Sequence, residues 1–146
     1  MLVCKKHTGA TRGHHHVMDV LTQLACNAGH FVRVNHKVST TAAASNKQGD
    51  VEFLNFGLDG SNNLVLDVLI CCDHIGSVTV NNGHLSSKMH TNDYLQERAG
   101  VQNRRYKADY ALVGTAFAPT IVSVAGRFRP EFLRLLRVLT DNRTRN

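Results

Sequence analysis

A mixed α/β (α+β) domain, with a mixed central sheet flanked by helices, is what three features of the sequence predict. Two apolar, β-prone runs, Asp50 to Phe56 and Leu64 to Cys71, flank the turn-rich link GLDGSNN, which is the pattern of an antiparallel hairpin. Apolar residues at helical spacing stand before and after that hairpin. The chain of 146 residues suffices for one core, and it shows no internal repeat or second-domain boundary. The predicted order is helix, strand, strand, strand, helix, strand, helix (α-β-β-β-α-β-α), as one domain over residues 16–146 behind an arm of residues 1–15.

The arm is polar and irregular. Cys4 and His7 have a Cys-x-x-His spacing, and His14 and His16 follow, so these four form a candidate Zn²⁺ site; a loose arm without metal is the alternative. From His16 to Ala28, Val17, Val20, Leu21, Leu24, Cys26 and Ala28 give an i, i+3, i+4, i+7 spacing, and Gly29 suits the stop. His30 to Asn35 alternates as a short strand. Residues 36–49 are small and polar and read as a surface loop, where Lys37 and Lys47 can meet a phosphate backbone.

After the hairpin, residues 73–90 are rich in Gly, Asn and Ser, with one further strand signal at Ser77–Val80. Asn92 to Val113 reads as a helix that Gly100 weakens by about 1 kcal/mol relative to Ala, the place where a break would fall. Phe117 to Val124 is the fourth strand; Pro119 removes a ladder donor and argues for an edge position or a bulge. Pro130 opens the last helix, with Phe132, Leu133, Leu135, Leu136 and Leu139 as its apolar face.

The net charge of +6 is unevenly placed. Residues 1–97 carry seven Lys/Arg and eight Asp/Glu, a net of −1, whereas residues 98–146 carry ten and three, a net of +7. Such a basic, arginine-rich third is a footprint for a polyanion such as nucleic acid, or else a solvated face. No apolar run approaches the about 20 residues of a membrane span, and the N-terminus lacks the apolar core of a signal peptide. Cys4, Cys26, Cys71 and Cys72 do not form a secreted disulfide framework, which points to an intracellular setting, nuclear or cytoplasmic.

Asp67 is the oddest residue of the hairpin. It sits among Leu64, Val65, Leu66, Val68, Leu69 and Ile70, in a run that reads as a buried strand. A carboxylate there costs several kcal/mol unless a cation, a metal or hydrogen-bond donors meet it. Asp50 opens the other strand of the hairpin, and Glu52 shares its face as either a third ligand or a surface charge.

The element order, with one aspartate opening the second strand and another inside the third, resembles the PD-(D/E)XK nuclease superfamily of restriction-endonuclease-like fold. It is similar in particular to the endonuclease domain of LINE-type retrotransposon and related reverse-transcriptase proteins. Gly49-Asp50-Val51 resembles the opening motif of that domain. Leu66-Asp67-Val68 resembles its strand-borne acid, with 16 residues between the two aspartates. Arg104-Arg105-Tyr106-Lys107 resembles its basic, Tyr-containing helix, and Phe117-Ala118-Pro119 with Val124-Ala125-Gly126 resembles its closing strand and glycine. The Cys4 and His segment echoes the zinc-knuckle-like segment that precedes the domain.

The resemblance implies a Mg²⁺- or Mn²⁺-dependent DNA endonuclease of retrotransposon origin, with a reverse transcriptase in the same parent polypeptide. Asp50 and Asp67 would be the metal ligands, Lys107 the catalytic base partner, and Lys47, Arg104 and Arg105 the DNA-binding residues. The superfamily's simplest pattern puts a lysine two residues after the second acid, where this chain has Leu69; Gln102 stands where a helix-borne lysine is expected. Two other readings stay open: a nucleic-acid-binding domain of the same fold with a decayed site, and an unrelated intracellular α/β protein with a basic C-terminal region.

Overall fold

The apolar faces of two helices and one strand meet first. The computed structural model describes residues 9–35, 37–38, 47–57, 61–71 and 91–143. Helix α1 (Gly9–Asn27) lays Met18, Leu21 and Ala25 against one face of the sheet, and α4 (Pro130–Arg143) adds Phe132 and Leu139 to the same core. The sheet contributes Val51, Phe53, Leu64, Leu66 and Val68, the alternate positions of two neighbouring strands. Burying such side chains contributes about 1.5–3 kcal/mol each and is the main force setting the layer order.

The main sheet has four strands in the order β1 (Phe31–Val34), β4 (Val51–Leu54), β5 (Asn63–Cys71) and β6 (Thr115–Ser123). β1, β4 and β5 meander antiparallel, with Val51 opposite Leu66; β6 then lies parallel to β5, with Asp67 opposite Pro119. A parallel neighbour needs a crossover, and the helical run after Thr91 belongs to it. The hairpin, the crossover and the edge position of the Pro119 strand are therefore as the sequence predicts.

The structure differs from these expectations in four places. α1 begins at Gly9, so residues 9–15 belong to the helix and not to the predicted arm. Apolar spacing starts only at Val17; the first two turns carry no such signal because they extend beyond the main apolar face. The predicted loop of residues 36–49 contains a small antiparallel ribbon, β2 (Lys37–Val38) with β3 (Lys47–Gln48), too short to leave a periodic trace. The crossover run does not break at Gly100. It passes from α2 (Thr91–Gln102) through a π-helical turn (Asn103–Lys107) into α3 (Ala108–Ala111). Glu52 is no surface charge: it is 4% exposed, and its Oε1 accepts a hydrogen bond from Asn63 Nδ2 at 2.9 Å. The strand signal at Ser77–Val80 lies outside the described residues.

Gly29 ends α1 at φ 81°, the left-handed conformation that glycine adopts without strain. The other face of the sheet is covered by the crossover. Leu69, Cys71 and Ile121 pack with Tyr94, Leu95 and Ala99 of α2, and Val65 and Phe117 pack with Tyr110 of α3. Among the described residues, no helix is long and apolar enough to cross a membrane.

Candidate functional site

β4 begins at Val51, one residue later than β5 could use a partner, and Asp50 fills the gap before it. Its backbone continues the ladder on both sides: its N–H donates to Leu66 O at 3.1 Å, and its C=O accepts from Asn35 N at 2.9 Å. Its side chain then turns to β5, where Oδ2 accepts the Val68 N–H at 2.6 Å. A carboxylate thus takes the donor that the end of β4 leaves without a partner. The same Oδ2 lies 3.0 Å from Nε2 of His14, which reaches over from α1.

Gly49 makes this approach feasible. It is buried, and a Cβ there would collide with Val65 Cγ1 and come within 3.3 Å of the Tyr110 hydroxyl. Tyr110 stacks on Phe117, with ring centroids 5.3 Å apart and planes 5° from parallel, and Tyr106 meets the same ring at 5.7 Å. The two tyrosines of that helical face are packing groups that wall the site, as their spacing predicts.

Asp67 shares this face and is half-buried. Burial, and after it the charge of Asp50, pushes its carboxyl up to about 6; His14 and Arg105 pull the other way. Burial also pushes the Tyr110 hydroxyl up to about 12, reinforced by Asp67, Tyr106, Asp50 and Glu52 in that order. The hydroxyl therefore stays protonated and able to donate. The two aspartates that the sequence pairs are thus brought close enough to act on each other, and a histidine and an arginine act on the same site.

The basic candidates divide. Arg105 is the cation that acts on Asp67, and its guanidinium lies 5.1 Å from the centre of the Tyr106 ring. Lys107, the candidate catalytic lysine, is exposed and borders a groove beside α4 instead. Arg104 is exposed on the same π turn. Lys47 is on β3, and its side chain lies outside the described ones. Leu69, two residues after Asp67, packs against the apolar cluster under α2. Gln102 is half-buried, and its Oε1 has no hydrogen-bond partner among the described residues.

Of the candidate zinc ligands, Cys4 and His7 lie outside the described residues. His14 and His16 stand two apart on a helix, so they point about 200° from each other. His14 meets Asp50, while His16 borders an apolar groove with Val20 and Phe128. Among the described residues, no group of three or more His, Cys, Asp or Glu side chains is arranged to hold a metal ion.

A pair of carboxylates is nonetheless the donor set that a hard cation takes, since Mg²⁺ commonly keeps several waters and uses one or two protein carboxylates. The raised Asp67 carboxyl fits that role, because two like charges at a half-buried site are relieved by a cation between them. His14 was readable from the sequence only as part of the His-rich run; its contact with Asp50 depends on how α1 crosses the sheet. Neither the protein-family models nor the curated proteins contain a match to the chain.

Proposed function

We propose that the chain is a Mg²⁺- or Mn²⁺-dependent DNA endonuclease domain of the restriction-endonuclease-like type, of the kind joined to reverse transcriptases in retrotransposons. The observation that carries this reading is the pairing of Asp50 and Asp67 on neighbouring strands, close enough for one charge to raise the other's pKa. The α-β-β-β-α-β-α order, with its antiparallel hairpin and parallel fourth strand, supports it as well.

In this reading Asp50 and Asp67 would hold the metal, which when bound would supply an activated water and offset charge on the scissile phosphate. The chain's own residues do the rest. Val68 N–H and His14 Nε2 both engage Asp50 Oδ2 and fix the direction of that carboxylate. Arg105 offers a positive charge at the mouth of the site, where a phosphodiester oxygen would lie. The protonated Tyr110 hydroxyl and the packed rings behind it keep that wall rigid.

One observation favours the decayed, DNA-binding alternative: Leu69 is packed under α2 where a lysine would be needed. A plasmid-nicking assay separates the two. Wild-type protein with Mg²⁺ or Mn²⁺ is expected to nick supercoiled plasmid, and Asp67→Asn and Asp50→Asn are each expected to abolish nicking. Salt-sensitive DNA binding without nicking at any metal concentration would select the decayed reading.

A further inference from the structure

β6 is the outer strand of the four-stranded sheet. The π turn on one side and α4 on the other leave a groove of about 450 Å³ along that edge. Its apolar walls include Phe117, Pro119, Phe132, Leu135 and Val138. Asn103 and Lys107 from the π turn and Arg134 from α4 stand at its lips, and both cations are exposed. Arg129, only 7% exposed, also lines it; its Nη2 donates to Gln96 Oε1 at 2.6 Å and pairs with Glu131 Oε2 at 3.1 Å. Its Nε has no hydrogen-bond partner among the described residues. Three cations and one carboxylate therefore surround an apolar trough.

The occupant that suits this lining is an anion with a flat apolar part. The volume falls in the range of about 300–1,000 Å³ usual for small-molecule sites, far too small for a duplex to enter. A peptide strand added to β6 is disfavoured, because a proline in an edge strand turns its missing N–H outward, and Pro119 stands mid-strand. The groove wraps the sheet edge: Leu64, Leu66 and Ala118 line it from the face opposite Asp67, and Pro119 from the Asp67 side. Pro119 is the parallel partner of Asp67, so the two share a face one strand spacing apart, about 4.8 Å.

We propose that this groove receives one unpaired nucleotide of a nucleic-acid strand, its base between Pro119, Leu135 and Val138 and its phosphate at Lys107 and Arg134. The inference rests on the reading that Asp50 and Asp67 act on nucleic acid. It adds that the strand is held in single-stranded form at the sheet edge, one strand over from Asp67, the base packed on apolar surface as in other single-strand binders.

Fluorescence anisotropy in EDTA tests this without any cutting, so it stands apart from the nicking assay. The probes are a labelled single strand of about 12 nucleotides, the same sequence as a duplex, and the single strand with abasic sites throughout. The intact single strand is expected to bind at least about tenfold more tightly than the abasic one. Lys107→Ala with Arg134→Ala is expected to weaken single-strand binding about tenfold, flatten its salt dependence by one to two ions, and change duplex binding far less. Val138→Glu, at a position already 46% exposed, is expected to weaken single-strand binding as much with an unchanged melting temperature. Equal binding of intact and abasic strands, or equal losses on single strand and duplex, would overturn the proposal. Loss of nicking with these binding differences intact would instead count against the catalytic reading alone.

Discussion

The two faces of β5 use alternate residues of one strand for opposite ends. On one face Leu64, Leu66 and Val68 are sealed between α1 and α4, each no more than 4% exposed. On the other, Val65 and Leu69 flank Asp67, which keeps an ionisable group half out of water beside Asp50, Tyr110 and Arg105. The first face lowers the free energy of the fold. The second retains an ionisable group that the fold alone would be better without.

The largest test of this contrast is on the packed face. Leu66→Ala removes a fully buried side chain and leaves a cavity between the sheet and the helices. It is expected to destabilise the protein by about 3–4 kcal/mol in urea unfolding. A loss below about 1 kcal/mol would mean that this face is not the core.

On the other face the sign reverses. The carboxyl of Asp67 is raised from 3.8 to about 6 in the folded chain. Its neutral form is therefore the one folding favours; that contribution is complete below about pH 4 and is lost as pH rises through 6. Asp67→Asn is expected to stabilise the metal-free protein by about 1–2 kcal/mol at pH 7.5, after allowance for its contact with solvent, and by nothing near pH 4. Thermal melts of both proteins across that range measure it. A destabilised Asn variant at pH 7.5 would show that Asp67 is a structural ion-pair partner instead.

How far these faces were legible in the sequence follows from the physics of each. Alternation along Leu64 to Cys71 identifies the strand, and the misplaced carboxylate identifies Asp67, because both signals are local. Glu52 is different. Its burial depends on Asn63 and Arg33 arriving from two other strands, 2.9 Å and 4.0 Å away, and no local pattern encodes that. The contact of His14 with Asp50 is missed for the same reason, since the two stand 36 positions apart in the chain. The π turn leaves no mark either, since NRRYK is an ordinary helical sequence and the wider turn appears only once the run is packed on the sheet.

The smallest expected effect on stability belongs to His14. It is partly exposed, so His14→Ala is expected to cost less than about 1 kcal/mol in the melt. The same change is expected to lower Mg²⁺-dependent nicking about tenfold, because it frees the Asp50 carboxylate to turn, and His14→Gln is expected to restore part of it. Stability and nicking falling together would place His14 with the packed face.

The π turn also ties the site to a length of chain. Leu95, Ala99 and Tyr110 are all buried toward the sheet, and 15 residues separate the first from the last. An ideal α-helix overshoots four full turns by about 60° over that distance, and the wider π turn takes up part of the excess. One residue added or deleted between Ala99 and Tyr110 would swing the tyrosine by about 100°, off the Phe117 ring and away from Gly49. Insertions tolerated in many surface helices would, in this one, open the wall behind both aspartates.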